Sequence, residues 1–252
     1  MLSGNESSES LYINEARQMK RTILSLFVAV ASLTAGAQTD IWYFQNGLAT
    51  KVAQVDSIVF KAPVYECVDL GLSVKWAVCN IGATKPYEYG AYFSWAETSP
   101  KDAYTWEDYE INSSAKYEEI SEKTLNAEDD AATVRWEGSW RLPTIDEINE
   151  LLNTDNCTWE WQASGNREYN GVVGYKVTSK KSGYEGNAIF LPAAGYRDDE
   201  NVLNEGTQGY YWTSTRANMN PSNACCLNYV FGNPTPLYVS RFCGITVRPV
   251  CP

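Results

Sequence analysis

Short apolar segments bounded by glycine or polar turns are the feature that most constrains the fold of this chain. They follow one another through its second half, with long loops between them. Short runs rich in β-branched and aromatic residues, punctuated in this way, are typical of strands. Strands are predicted at 172–178, 188–191, 210–214, 224–231 and 244–250, and alternation of apolar and polar residues predicts another at 68–76.

One helix is specified by its own residues. Thr144 and Glu147 have the spacing of a capping box, in which each side chain bonds the other residue's backbone N–H. The apolar residues that follow share one face, which predicts a helix over 145–153. A shorter helix with acidic residues in its first turn is predicted at 126–136, and residues 84–118 read as long ordered loops. Few helices with several short strands predict an α+β domain whose function is carried by loops.

The first part of the chain has the features of a secretory signal peptide. A basic start at Met19 is followed by an apolar run to residue 33 and by small residues at 35–37. The run is too short to span a bilayer, and it lacks the amphipathic pattern of the alternative, a buried core helix. The protein is therefore expected to be exported and to be periplasmic, cell-surface or extracellular. The predicted segments are an untranslated upstream extension at 1–18 and a signal peptide at 19–37.

A small extension is predicted to precede the main domain. Residues 41–60 read as two short strands on either side of Asn46 and Gly47, a pair that favours a two-residue hairpin turn. With a linker at 61–63, this hairpin extension covers 38–63. The main domain is predicted at 64–252.

Charge and the absence of histidine exclude several classes of function. A formal net charge of −11 makes nucleic acid and anionic membranes unsuitable partners. Without histidine there is no Ser-His-Asp triad, Cys-His dyad or histidine zinc site. No cofactor or metal site is predicted, and the chain is not expected to be an enzyme. The alternatives are a carboxylate glycosidase using Glu97 and Glu107, and Ca²⁺ ligands at 198–201, where a plain solvated acidic loop is favoured.

Blocks spread from residue 68 to residue 250 resemble one known family in the same order. The first is VDLGLSVKWAVCNIGATKPYEYGAYFSWAET, and later ones include EDDAATVRWEGSWRLPTIDEINELL, AIFLPAAGYRD, GYYWTST and GITVRPV. They are similar to the Fibrobacter succinogenes major paralogous domain family. The resemblance implies a C-type-lectin-like fold in an exported protein. It also implies that the first and last strands pair, which would bring Cys67 and Cys251 together and suggests a disulfide between them.

Two activities found on the same fold are not expected to carry over. Formylglycine-generating enzymes have a block like WRLPTIDEINELL, but the arginine-rich context of their cysteine pair is not present here. Calcium-dependent lectins carry EPN or QPD and a WND triplet, and none of these occurs in the chain. The resemblance therefore implies the fold without the oxidase chemistry or the calcium-dependent sugar chemistry.

Residues 216–243 are the predicted binding segment. They contain no Lys, Glu, Gln or Trp, and Met219 is the only residue there that an adenine-substituted Asn codon could not supply. Family members include the variable proteins of diversity-generating retroelements, so the resemblance implies a diversified face. The adjacent Cys225 and Cys226, without a metal-binding pattern, fit such rewriting. The alternative is an ordinary loop segment rich in Ser, Asn and Pro.

The binding segment combines rigid aromatic side chains with adaptable amides, a mixture that suits a recognition surface. Alternation predicts that only some of them point outward. The predicted function is recognition or adhesion, with an unknown protein or glycan ligand. The alternative is a structural subunit whose hairpin at 41–60 contacts a cell-surface assembly partner. The candidate ligand-binding residues are Arg216, Asn218, Asn220, Asn223, Cys225, Asn228, Tyr229, Phe231, Asn233, Tyr238, Arg241 and Phe242.

Overall fold

The computed structural model describes residues 41–45, 48–52, 65–111, 124–217, 220–230 and 232–252. The predicted upstream extension, signal peptide and linker lie outside these residues. The chain divides into two units, Met1–Lys61 and Ala62–Pro252, which are described separately. Among the described residues, no helix has the length and apolar character needed to cross a membrane.

The described part of the first unit is a pair of strands. Strand β1 (Ile41–Gln45) pairs antiparallel with β2 (Leu48–Val52), and Gln45 lies opposite Leu48. The strands therefore flank Asn46 and Gly47, where the sequence predicts a hairpin. The rest of the predicted segment, 53–60, lies outside the described residues.

The described part of the second unit contains small, mostly antiparallel sheets, two α-helices and one 3-10 helix at Arg167–Tyr169. The α-helices are α1 (Ala131–Trp136) and α2 (Ile145–Leu152), and the strands are β3 (Cys67–Val68), β4 (Lys75–Ala77), β5 (Tyr92–Phe93), β6 (Cys157–Gln162), β7 (Gly174–Ser179), β8 (Ala188–Pro192), β9 (Tyr196–Asp198), β10 (Asn201–Leu203), β11 (Gly209–Arg216), β12 (Asn223–Val230), β13 (Asn233–Ser240), β14 (Ile245–Thr246) and β15 (Val250–Cys251). The sheets have the strand orders β13-β12-β11-β14-β5, β15-β4-β3, β6-β7-β8 and β10-β9, and only the β11–β14 pairing is parallel among the described strands. This is an α+β fold, as predicted.

The two central strands β11 and β12 are covered on both faces. On one face Trp212 and Cys226 belong to a core that also contains residues of β5 and α1. On the other face Tyr211, Leu227 and Tyr229 belong to a second core with residues of α2, β7 and β8. A strand buried on both faces has no solvent-facing row, which explains why β12 is apolar except at its two asparagines and why β11 has three successive aromatic residues.

The single strand predicted at 68–76 is wrong, because the chain turns in its middle. Gly71 has a φ of +71°, and its N–H donates to Oδ1 of Asp69 at 2.8 Å. Strands β3 and β4 lie on either side of this turn and pair with each other, with Val68 opposite Trp76. Leu70 and Val74, on either side of the turn, are buried although they belong to no strand, and Leu72 is half-buried.

Two further boundaries differ from the prediction. Helix α1 begins at Ala131 rather than near 126, because the Asp130 carboxylate accepts from the N–H groups of Ala132 at 2.9 Å and Thr133 at 3.0 Å. The segment 244–250 is not one strand. It divides into β14 in the five-stranded sheet and β15 in a three-stranded sheet.

Helix α2 starts at the predicted capping box, and Arg141 links its first turn to strand β15. The Thr144 hydroxyl accepts from the Glu147 N–H, and the Glu147 carboxylate accepts from the Thr144 N–H at 2.7 Å. Arg141 donates two hydrogen bonds to Glu147, at 2.8 and 2.5 Å, and its backbone pairs with Val250. Burial opposes ionisation of Glu147, but the hydrogen bonds from Arg141 and Thr144 hold its pKa below the ordinary value of 4.5.

We expect the free energy of unfolding to fall more steeply with acid in the wild type than in a Glu147→Gln variant. Because the folded-state pKa is lowered, the ionised carboxylate stabilises the fold above about pH 4.5, and this contribution is lost as the pH falls through the folded-state pKa. Glutamine keeps the shape of the side chain but does not titrate. Urea unfolding at about pH 7 and about pH 3 measures the difference, and equal pH dependence in the two proteins would contradict it.

Candidate ligand-binding face

The hairpin formed by β12 and β13 carries most of the predicted binding segment. The two strands pair without interruption, from Asn223 opposite Ser240 to Val230 opposite Asn233. Strand β12 lies next to β11 in the interior of the sheet, whereas β13 is the outer strand. The side chains of the hairpin therefore differ widely in exposure.

Three of the predicted ligand-binding residues are buried, so they do not belong to an exposed binding face. Cys225 and Tyr229 lie inside β12, and the Tyr229 hydroxyl donates to the carbonyl of Leu191 at 2.5 Å. Arg241 places its guanidinium over the ring of Trp95, 4.4 Å from the centroid. The prediction of ligand contact fails for these three because each packs against a neighbouring element rather than facing solvent.

The adjacent cysteines follow from packing. Cys226 faces the core that contains Trp212, and Cys225 faces the opposite side of the same strand. Both are small, weakly polar side chains that fit a strand covered on both faces. Burial raises the pKa of Cys225 to about 11 and that of Cys226 well above its usual range. These two positions therefore have a folding role that needs no codon rewriting to explain it.

The accessible members of the predicted set are fewer. Asn220, Asn233 and Tyr238 are exposed, and Arg216, Asn223, Asn228 and Phe242 are half-buried. Asn218 and Phe231 lie outside the described residues. Tyr238 is the most exposed of the large hydrophobic side chains described, with 55% of its surface accessible.

The accessible side chains project from two opposite faces of the hairpin. Neighbouring residues of a strand point in opposite directions, so Tyr238 and Asn223 share one face, while Asn228 lies on the other. Leu237, opposite Cys226 and 39% exposed, also lies on the second face. Sequence reasoning missed Leu237 because it weighed aromatic residues and amides. A flat ligand would contact one face, and a ligand that contacts both must fit around the edge of β13.

A loop outside the predicted segment contacts Phe242, one of the predicted residues. The ring of Trp106 lies 5.0 Å from that of Phe242 and 5.5 Å from that of Tyr109, which is buried. Trp106 belongs to the long loops predicted at 84–118. These loops lack periodicity, so the sequence offers no signal that could have placed Trp106 beside Phe242.

The hairpin is held at both ends by residues of the rest of the domain. At its tip, the Tyr175 hydroxyl accepts from the Gly232 N–H at 2.6 Å and donates to the carbonyl of Val230 at 3.4 Å. At its base, Arg241 is fixed over Trp95 and its Nε donates to the carbonyl of Asn223 at 3.4 Å. The exposed side chains are therefore presented on a preorganised backbone, which lowers the entropy lost on binding.

We expect Tyr175→Phe to loosen the tip while keeping the core packed. The ring keeps its contacts, but the tip loses two hydrogen bonds, which lowers the free energy of unfolding by about 1–2 kcal/mol. Amide hydrogen exchange at Gly232 should accelerate, whereas Tyr238→Phe, a change to an exposed tyrosine, should leave it unaltered. Unchanged exchange at Gly232 in Tyr175→Phe would show that the hydroxyl does not hold the tip.

The carboxylates considered for catalysis differ in environment. Glu97 is buried, forms an ion pair with Lys101 at 2.7 Å and accepts from the Glu110 N–H at 2.7 Å, while Glu107 is exposed. With these contacts, the Glu97 carboxylate stabilises the conformation of the loop that contains it. At 198–201, the tight turn between β9 and β10 is fixed by backbone pairing of Asp199 with Tyr104. In the part of the chain that the structure describes, no three acidic or cysteine side chains are grouped as metal ligands.

Cys67 and Cys251 do not lie on paired strands, because Cys67 belongs to β3 and Cys251 to β15. The last strand, β15, pairs with β4, and β3 with Cys67 lies on the other side of β4. Both residues are free thiols in this structure. Burial and the neighbouring Cys67 thiol raise the pKa of Cys251 to about 11. The disulfide stays a prediction.

We expect mild oxidation to join Cys67 and Cys251, because their side chains are on the same face of the sheet, the two thiols interact, and Cys67 is exposed. Intact mass should fall by two hydrogens, and a non-reduced digest should contain one cross-linked peptide pair. Cys67→Ser should abolish this product, whereas Cys157→Ser, at a separate buried thiol, should retain it. A cross-link between other cysteines would contradict the prediction.

Comparison with known proteins adds no relative to this description, since no protein-family model, curated protein or solved structure matches the chain. Its function is therefore inferred from the hairpin geometry and the sequence.

Proposed function

We propose that this chain is an exported recognition or adhesion protein that binds a protein or glycan ligand through the β12–β13 hairpin of a C-type-lectin-like domain. The observation that carries the proposal is the hairpin itself. An uncharged outer strand with exposed apolar side chains is attached to the domain at both its tip and its base. Preorganised surfaces of this composition are typical of proteins that recognise other molecules.

The distribution of charge supports the same assignment. The chain has a net charge of −11, yet residues 217–240 contain no charged side chain. The hairpin therefore contributes no charge of its own to repel an acidic partner. A neutral surface with Asn228, Leu237 and Tyr238 accessible can make both hydrogen bonds and apolar contacts.

The binding experiment uses two matched double variants of the mature chain. Leu237→Ala with Tyr238→Ala removes the two exposed large apolar side chains of β13, and Val202→Ala with Leu203→Ala removes a similarly exposed pair on β10. Each protein is applied to a glycan array and to a panel of purified surface proteins. We expect the first variant to lose at least about tenfold in affinity for any ligand of the wild type, and the second to keep it. Equal losses in both would refute the assignment of the face.

Diversification of this face is a separate part of the proposal. Sequencing the gene's locus would reveal a nearby copy of the DNA for 216–243 that differs only at adenines, beside a reverse transcriptase gene. Exposed positions such as Asn233 and Tyr238 are the ones where variation is expected, because changes there leave the core intact. If the locus lacks that copy, the sequence of the binding face is not diversified by this mechanism.

A further inference from the structure

Strand β13 forms one edge of the five-stranded sheet, and no described residue pairs with its outer side. Such an edge presents unpaired N–H and C=O groups to other chains. Two features of β13 determine what this edge can do: the direction of its backbone groups and the positions of its prolines.

The hydrogen-bonding direction follows from contacts at the base of the hairpin. The N–H of Arg241 donates to the carbonyl of Ser222 at 2.9 Å, one step beyond the pairing of Ser240 with Asn223. The carbonyl of Asn223 points the other way, toward β11, where it accepts from Ala217 at 3.3 Å. Because hydrogen-bonding sides alternate along antiparallel strands, the odd-numbered residues of β13 bond to β12 and the even-numbered ones face outward.

Both prolines of the strand occupy outward-facing positions. Pro234 and Pro236 have no N–H, and their rings fill the space that an incoming strand would need. The outward donors that remain on this strand are the N–H groups of Tyr238 and Ser240.

Strand β13 lacks three other features that commonly protect a sheet edge. Many edge strands avoid pairing with other chains because they are short, bulged or charged. Strand β13 is eight residues long, its pairing with β12 has no bulge, and it has no charged side chain. It also exposes Leu237 and Tyr238. Among the residues that the structure describes, the two prolines are therefore the feature that protects this edge.

We infer that Pro234 and Pro236 prevent β13 from pairing edge to edge with β13 of a second copy of this chain, so that its side chains are its means of contact with a partner. Antiparallel pairing about a two-fold axis at Leu237 would place Pro236 opposite Tyr238 and Pro234 opposite Ser240. Each of these pairs would then form one hydrogen bond instead of two. The inference is independent of the ligand proposed above.

The test is a double variant, Pro234→Thr with Pro236→Thr, studied in the full mature chain. Threonine favours strands and restores two outward N–H groups without changing a bond to β12. Sedimentation over a range of concentrations should show a monomeric wild type and a dimeric variant, with self-association at least about tenfold tighter. Pro221→Thr, at an exposed proline outside the strands, is the matched control and should stay monomeric.

Hydrogen exchange identifies the surface that pairs. In the dimer, the amides of Tyr238 and Ser240 should exchange more slowly than in the monomer. A folded double variant that stays monomeric would overturn the inference, and so would a dimer with unprotected β13 amides or a wild type that already dimerises through β13. If the double variant does not fold, Pro236→Thr alone is decisive, with an intermediate gain in association expected.

Discussion

Replacing Arg248 with methionine should lower the free energy of unfolding by about 3–5 kcal/mol. Arg248 is completely buried between β14 and β15. Its Nε donates to Oδ1 of Asn80 at 2.8 Å, and its terminal nitrogens donate to the carbonyls of Ala77, Val78 and Phe190 at 2.9–3.1 Å. Methionine would leave these buried acceptors without a donor, and an unsatisfied buried acceptor is expensive.

The site of Arg248 explains why a buried cation is tolerated there. Burial lowers the pKa of Arg248, and the hydrogen-bond acceptors that the structure gives it are neutral oxygens rather than carboxylates. The guanidinium fork joins the loop after β4 to β8 and to the C-terminal segment. It thus connects two sheets that share no strand, and one lysine ammonium could not reach all of these acceptors.

Chemical denaturation measures this series of variants. Arg248→Lys should fall between the wild type and Arg248→Met, because lysine restores a charge and some donors but not the planar fork. Arg167→Met, at an exposed arginine, is the control and should change stability by less than about 0.5 kcal/mol. A methionine variant as stable as the wild type would mean that Asn80 and the three carbonyls find other donors.

The parts of the fold that the sequence predicts well are those fixed by local contacts. Helix α2 begins where the capping box of Thr144 and Glu147 places it, because both hydrogen bonds lie within one turn. The segments that became β7, β8, β11 and β12 are bounded by turn residues next to them. In contrast, the split of 244–250 depends on which sheet each end joins, and that is decided by strands far away in the sequence.

The candidate site shows the same division between local and long-range information. Composition located the segment that forms the β12–β13 hairpin, but exposure depends on what covers each face. Alternation would place half of β12 in solvent, yet α2 and the strands around it cover one face and β5 with α1 covers the other. Cys225 and Tyr229 are therefore buried, while Leu237 on the outer strand is accessible.

Truncation of two tyrosines of the same hairpin should change stability by very different amounts. Tyr229→Ala should destabilise the fold by about 3–5 kcal/mol, because the ring is buried among Trp159, Trp161 and Tyr175. Its hydroxyl also bonds the carbonyl of Leu191. Tyr238→Ala should change stability by less than about 0.5 kcal/mol, since more than half of that side chain is already in water.

Comparing stability with binding in these two variants separates support of the face from contact with a ligand. Tyr238→Ala should weaken binding in a protein that unfolds like the wild type, because the proposed binding face includes this exposed residue and the core does not. Tyr229→Phe, which keeps the ring and loses one hydrogen bond, should bind normally when folded, with a stability loss of about 1 kcal/mol. If instead Tyr229→Phe lost affinity while fully folded, the hydroxyl would have to be reachable by the ligand. The ligand would then bind at the side of β12 that carries Tyr229, and not at the exposed side chains of β13.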